Sequence, residues 1–140
     1  RISVSIGKSR DVILLGGGKI SFYLAKNLLD SGANVKIIEK NPDRCWELTN
    51  ILPEAVVIQG DCMDQDLLLS EGIEHADGVA ALMDYDEENI LISLYIQSVS
   101  KAKIITNSYS ALENINLAYS FVGYCGIFRQ SYLYQLNRAS

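Results

Sequence analysis

Three consecutive glycines, Gly16-Gly17-Gly18, are followed by Lys19, Ile20 and Ser21. As G-x-G-x-x-S, this spacing suits a tight turn that opens a helix, where the first amides and the helix dipole attract a phosphate or pyrophosphate. Gly16 would serve the turn, and Gly18 would let the pyrophosphate approach the backbone. Ser21 departs from the fingerprint, which has Gly or Ala at that place for close packing of helix on strand. Glu39 lies 21 residues after Gly18, where a carboxylate accepts hydrogen bonds from a ribose. It would repel a ribose 2′-phosphate, while Lys40 and Arg44 beside it offset that discrimination. Two further stretches, Gly60-Asp61-Cys62 and Met83-Asp84-Tyr85-Asp86-Glu87-Glu88-Asn89, fall where strands are expected to end. Ligands bind at such ends in open α/β sheets, and helix capping is the other use of the same residues.

Other chemistries fit less well. Asp84, Asp86, Glu87 and Glu88 lack the spacing of a calcium loop. His75, the only histidine, sits in a short polar connection without a partnered Ser or Cys nucleophile motif. Cys45, Cys62 and Cys125 are odd in number and show no C-x-x-C pair, so they read as reduced thiols. No catalytic residue and no metal site is expected. Trp46, the eight tyrosines and the stripe from Ile90 to Val99 read as core or interface.

The elements that would position the glycines and Glu39 alternate between strand and helix. Val12-Ile13-Leu14-Leu15 is an apolar run suited to a strand buried on both faces. Ile20, Leu24 and Leu28, with Leu29 beside them, recur at helical spacing up to a stop at Ser31-Gly32. Val35-Lys36-Ile37-Ile38-Glu39 is a second strand. Asn41-Pro42 then gives an N-cap and a first-turn proline for a helix towards Asn50. Ala55–Gln59 is a third strand, and Asp64 caps a short helix through Leu67, Leu68 and Leu69. Asp77–Leu82 is a fourth strand, followed by a helix capped by Asp84 or Asp86 with Ile90, Leu91, Leu94 and Tyr95 on its apolar face. That face is expected to pack on the sheet, with a dimer interface as the alternative. Lys103-Ile104-Ile105 is a fifth strand. Beyond Asn107, a helix over 111–121, a short sixth strand over 126–128 and a helix over 131–136 are expected.

Repeated strand–helix units of this length give a Rossmann-like, doubly wound parallel α/β sheet with helices on both faces. A chain of 140 residues holds one such domain and no separate substrate domain, since a domain takes roughly 100–200 residues. We expect an arm or linker over 1–10 and the domain over 11–140, excised from a longer tandem protein because the chain starts at Arg1. A formal charge of −5 argues against a nucleic-acid partner, which calls for a basic footprint. No apolar run approaches the length of a membrane helix, and no signal peptide opens the chain.

From Ile13 to about Ile105 the sequence resembles the nucleotide-binding domain of Trk-type potassium-uptake regulatory proteins, the TrkA-like, RCK or KTN family. The matching pieces are Gly16-Gly17-Gly18-Lys19-Ile20, Leu24-Ala25, Val35–Glu39, Asn41-Pro42-Asp43-Arg44-Cys45, Gly60-Asp61 and Asp86-Glu87-Glu88-Asn89-Ile90. The resemblance implies a non-catalytic cytoplasmic subunit, peripheral at the inner face of the membrane, that regulates a potassium transporter or channel. It implies NAD(H), or ATP, ADP or AMP in its place, and assembly as a homodimer or larger ring. Gly16, Gly18 and Lys19 would surround the pyrophosphate and Glu39 would hold the ribose, with Gly17, Ile20, Lys40 and Arg44 in the same cofactor site. Asp61 would lie at the adenine end, Cys62 would belong to the same cofactor site, and Met83 and Asn107 would face the distal half. Ser21, Met83 and Asn107 depart from the family pattern. A fragment of an NAD-dependent oxidoreductase and a domain kept only for assembly are the alternative readings.

Overall fold

The computed structural model describes residues 10–106. The expected helices over 111–121 and 131–136, the sixth strand over 126–128, Asn107, and the arm short of Arg10 lie outside the described residues.

The described chain runs β1 (Asp11–Leu15), α1 (Lys19–Asp30), β2 (Asn34–Glu39), α2 (Pro42–Ile51), β3 (Val56–Gln59), α3 (Gln65–Ser70), β4 (Gly78–Ala81), α4 (Asp86–Val99) and β5 (Lys103–Thr106), with a 3-10 turn at Ile73–His75. All five strands are parallel and lie in the order β3-β2-β1-β4-β5. The chain therefore winds outward from β1 in one direction and then returns to add β4 on its other side. This reversal puts the topological switch point between β1 and β4, where open α/β sheets leave a crevice at the carboxyl ends.

Side chains on a strand alternate between faces, and β1 shows what that does. Val12 and Leu14 enter one core with Leu24, Leu28, Ile37 and Leu48 from the sheet, α1 and α2. Ile13 and Leu15 enter a second core with Ile38, Leu68, Val79, Ile92 and Ile96 from the sheet, α3 and α4. Burial on both faces is why β1 is apolar at every position after Asp11. Local signals fix the helix starts. Asn41 Oδ1 accepts from the amides of Asp43 and Arg44 with Pro42 behind it, and Asp64 Oδ1 accepts from Asp66 and Leu67.

Two expectations need correction. α4 turns Asn89, Ile92, Ser93 and Ile96 inward, while Ile90, Leu91 and Leu94 are 48%, 59% and 59% exposed. The helix is apolar on two sides, so periodicity alone could not choose the inward one. Neither Asp84 nor Asp86 caps it; Tyr85 holds the cap position without a side-chain hydrogen bond, and Asp86, Glu87 and Glu88 sit in the first turn, where they complement the dipole. Trp46 is 71% exposed on α2 and belongs to neither core.

Candidate functional site

The crevice at the carboxyl ends of the strands is a hollow of about 460 Å³. Its floor is the glycine turn. Gly16 has φ +100°, and a Cβ there would lie 2.7 Å from the Leu82 carbonyl oxygen of the neighbouring strand end, so glycine is required twice over. At Gly17 a Cβ would lie 2.6 Å from Leu48 Cδ1 and 3.1 Å from Glu39 Oε1. At Gly18 it would meet nothing within 4 Å. That open space is where a ligand can approach the backbone.

Gly18 caps α1 without any side-chain hydrogen bond, and the first turn of α1 carries no acidic residue. The positive end of the helix dipole is thus left uncompensated by neighbouring carboxylates of its own first turn. Ser21 explains its departure from the fingerprint. It is buried, and its Oγ donates to the Gly16 carbonyl at 2.5 Å, tying the first turn of α1 back onto the loop. The third position therefore packs closely with a hydroxyl that has a partner.

Glu39 and Arg44 hold the loop from its other side. Glu39 Oε1 accepts from the Gly17 amide at 2.7 Å and Oε2 from the Asn41 amide at 2.6 Å. A carboxylate has about four acceptor positions, so both oxygens keep a lone pair for ribose hydroxyls. Arg44 Nε donates to the Gly17 carbonyl at 2.6 Å and Nη2 to the Gly18 carbonyl at 3.4 Å, while Nη1 pairs with Glu47 at 3.6 Å. The expected role of Arg44 as a cation beside the ribose thus becomes a more specific one: it fastens α2 to the glycine loop.

The two described cysteines hang from the end of β2. Cys45 Sγ donates to the Glu39 carbonyl and Cys62 Sγ to the Ile38 carbonyl, both at 3.3 Å. Burial pushes the Cys62 thiol up to about 12, opposed by a hydrogen bond with the Gly16 backbone and reinforced by Glu39, Asp61 and Glu88. Burial, then Glu39, also raises Cys45.

Of the residues singled out in the sequence, Gly16, Gly17, Gly18, Glu39, Lys40, Arg44, Asp61, Cys62 and Met83 line this one hollow. Lys19 and Ile20 do not; they start α1, Lys19 exposed and Ile20 half-buried. Sequence reasoning left Asn89 without a task. It is fully buried, its Oδ1 accepts from the Met83 amide at 2.8 Å, and its Nδ2 donates to the Met83 carbonyl at 3.0 Å. The side chain acts as a strand partner for the rim beyond β4. The available signal was its place in Asp86-Glu87-Glu88-Asn89-Ile90, one of the pieces that carry the family resemblance. His75 is placed at the opposite end of the sheet, in a separate hollow with Asn34, Lys36 and Glu71. Among the described residues no group of His, Cys, Asp or Glu could hold a metal ion, and no helix is long and apolar enough to cross a membrane.

The family model of the TrkA-N domain matches residues 12–122. This chain belongs to the TrkA-N domain family. A relative, the Trk system potassium uptake protein TrkA homolog 2 of Methanosarcina mazei, is 39% identical over 98 residues, 69% of this chain and 22% of its own length. The chain therefore spans about a fifth of that curated relative. In fold, this TrkA-N domain is similar to a solved structure titled GsuK channel bound to NAD, with a TM-score of 0.63 at 19% identity over 81% of this chain and 21% of that one. It is also similar to a xanthine dehydrogenase from Bacillus halodurans, with a TM-score of 0.58 at 17% identity over 84% of this chain and 32% of that one. A channel and an oxidoreductase share this fold, so the fold by itself does not choose between them.

Proposed function

We propose that this TrkA-N domain binds NAD(H), or an adenine nucleotide in its place, and is the non-catalytic regulatory part of a potassium uptake system. The observation that carries the reading is the open space over Gly18 at the start of a helix whose own first turn carries no acidic residue, flanked by Glu39 with acceptor capacity to spare. The pyrophosphate would lie over Gly16, Gly17 and Gly18, the adenosine ribose at Glu39, and the adenine towards Asp61. The printed names of the relatives support potassium uptake as the setting, and the NAD-bound channel supports the ligand class. Such a domain acts on a membrane transporter or channel subunit from the cytoplasmic side, at the inner face of the membrane. The exposed Ile90, Leu91 and Leu94 on α4 suit assembly with a second copy, as a homodimer or larger ring.

A regulatory ligand acts by binding two states of its protein unequally, and about 1.4 kcal/mol of difference shifts their ratio tenfold. Titration calorimetry of the chain with NAD+, NADH, ADP-ribose, ADP, AMP and ATP tests the first step. We expect saturable heat with at least one of them and a matching rise in melting temperature. No heat and no thermal shift with any would reject nucleotide sensing.

A further inference from the structure

We infer that the outer face of α2 around Trp46 is a docking surface for a Lys/Arg-bearing polypeptide segment, whose cations lie on the exposed indole and beside Asp43 and Glu47. This surface is separate from the nucleotide site, and its partner differs in chemistry from a nucleotide.

Trp46 is the single tryptophan of the chain, and its sequence context suits core or interface alike. The structure places it in neither core and leaves it 71% exposed. Residues three and four apart share a helix face, which sets Asp43, Trp46, Glu47 and Asn50 side by side on α2. The polar neighbours turn back on their own helix: Thr49 Oγ1 donates to the Cys45 carbonyl at 2.9 Å and Asn50 Nδ2 to the Trp46 carbonyl at 3.0 Å. Arg44, the cation of the helix itself, is engaged with the Gly17 and Gly18 carbonyls, and its contact with Glu47 at 3.6 Å leaves that side chain 62% exposed. From Lys40 to Glu54 the exposed charges are Lys40, Asp43, Glu47 and Glu54, three carboxylates against one ammonium. Asp43 and Glu47 also border the hollow over the glycine loop, whereas Trp46 does not, so the indole is what sets this surface apart.

An indole this exposed is apolar surface that a partner can cover, and tryptophan is among the residues that most often dominate an interface. The ring face attracts a cation, and flanking carboxylates add to that attraction. The same carboxylates repel phosphates, so neither nucleic acid nor an anionic lipid surface suits this face. A second copy meeting it α2 on α2 would bring like charges together. A segment carrying Lys or Arg satisfies the indole and the carboxylates together. Cytoplasmic loops of membrane proteins carry an excess of Lys and Arg. That source rests on the potassium-uptake reading above; the surface itself does not.

Because Trp46 is the single tryptophan, the indole emission of the whole chain reports on this face alone. Titration with a flexible Gly/Ser peptide bearing several Lys and Arg residues, followed by emission and by calorimetry, tests the docking surface without any nucleotide. We expect saturable binding that alters the emission. Trp46→Ala, and the pair Asp43→Asn with Glu47→Gln, should each weaken it at least about tenfold. The pair Asp66→Asn with Glu74→Gln, exposed on other elements, removes as much charge and should change affinity by less than about twofold. Melting curves check that each variant is folded. No saturable binding, or equal losses in the two charge pairs, overturns the docking surface. Emission that changes with protein concentration alone, with a dimer that Trp46→Ala dissociates, gives the face to a second copy and overturns the basic segment. Failure of the nucleotide titrations leaves the peptide result untouched, so the two readings fail separately.

Discussion

A methyl group added at Gly17 would be pressed against Leu48 of α2 and the Glu39 carboxylate, whereas one added at Gly18 would point into open space. Adjacent glycines therefore answer to different demands, packing at the first and ligand approach at the second. Gly17→Ala should destabilise the fold by about 1–3 kcal/mol, seen as a lower urea midpoint. Gly18→Ala should cost under about 1 kcal/mol in the same measurement and yet weaken nucleotide binding at least about tenfold in calorimetry. Equal effects of the two variants on stability would contradict this division. Cys62 gives a prediction in pH. Burial first, with nearby carboxylates adding, lifts its thiol from 9.0 to about 12, so on raising the pH the unfolded chain loses that proton before the folded one does. The stabilisation is complete below about pH 9 and is lost progressively as the pH climbs towards about 12. Wild type should lose stability over that window faster than Cys62→Ala, as measured by urea unfolding at several alkaline pH values; parallel curves would show that the thiol contributes nothing.

Among the elements, α4 does two jobs with two faces. Its inner face supplies Ile92 and Ile96 to the core, and its first turns supply Asn89 to the Met83 peptide. Asn89→Ala would leave that amide and carbonyl without their side-chain partner, at a cost of about 1–3 kcal/mol. The Met83 amide should also exchange its hydrogen markedly faster, a readout that general loosening of the core would spread over β4 as a whole. What was legible in the sequence follows from range. The β1 run, the glycine turn, Glu39 at the end of β2, and the caps at Asn41 and Asp64 are all set by residues within a few positions of one another, and the structure has them where they were expected. The grip of Arg44 on Gly17 and Gly18 spans 26 or 27 residues and ends on backbone carbonyls, which leave no trace in residue types. The inward face of α4 was hidden for another reason: Ile90, Leu91, Ile92, Leu94 and Ile96 offer an apolar stripe on either side, and only the sheet decides which is covered. Lys19 and Ile20 follow the glycines directly but do not line the hollow, Lys19 being exposed and Ile20 half-buried at the start of α1.

At the scale of the whole molecule, a net charge of −5 is compatible with a phosphate-bearing ligand because backbone amides at the start of α1 can meet a phosphate without calling on overall charge. The chain spans about a fifth of its Methanosarcina relative. The outer face of α4, with Ile90, Leu91 and Leu94 exposed, is a described apolar surface suited to a second copy. If a second copy covers it, light scattering at high micromolar concentration should show a dimer, and Leu91→Glu with Leu94→Glu should return a folded monomer. A monomeric wild type at that concentration would remove α4 as a self-interface for this chain. The three outward aliphatic side chains have one more consequence, in mass action. A fold that gains part of its apolar burial from another copy has no single melting temperature, since each dilution withdraws some of that burial. The midpoint of wild type should climb with protein concentration while that of the double variant stays flat, so the stability of this domain would depend on how much of it is present.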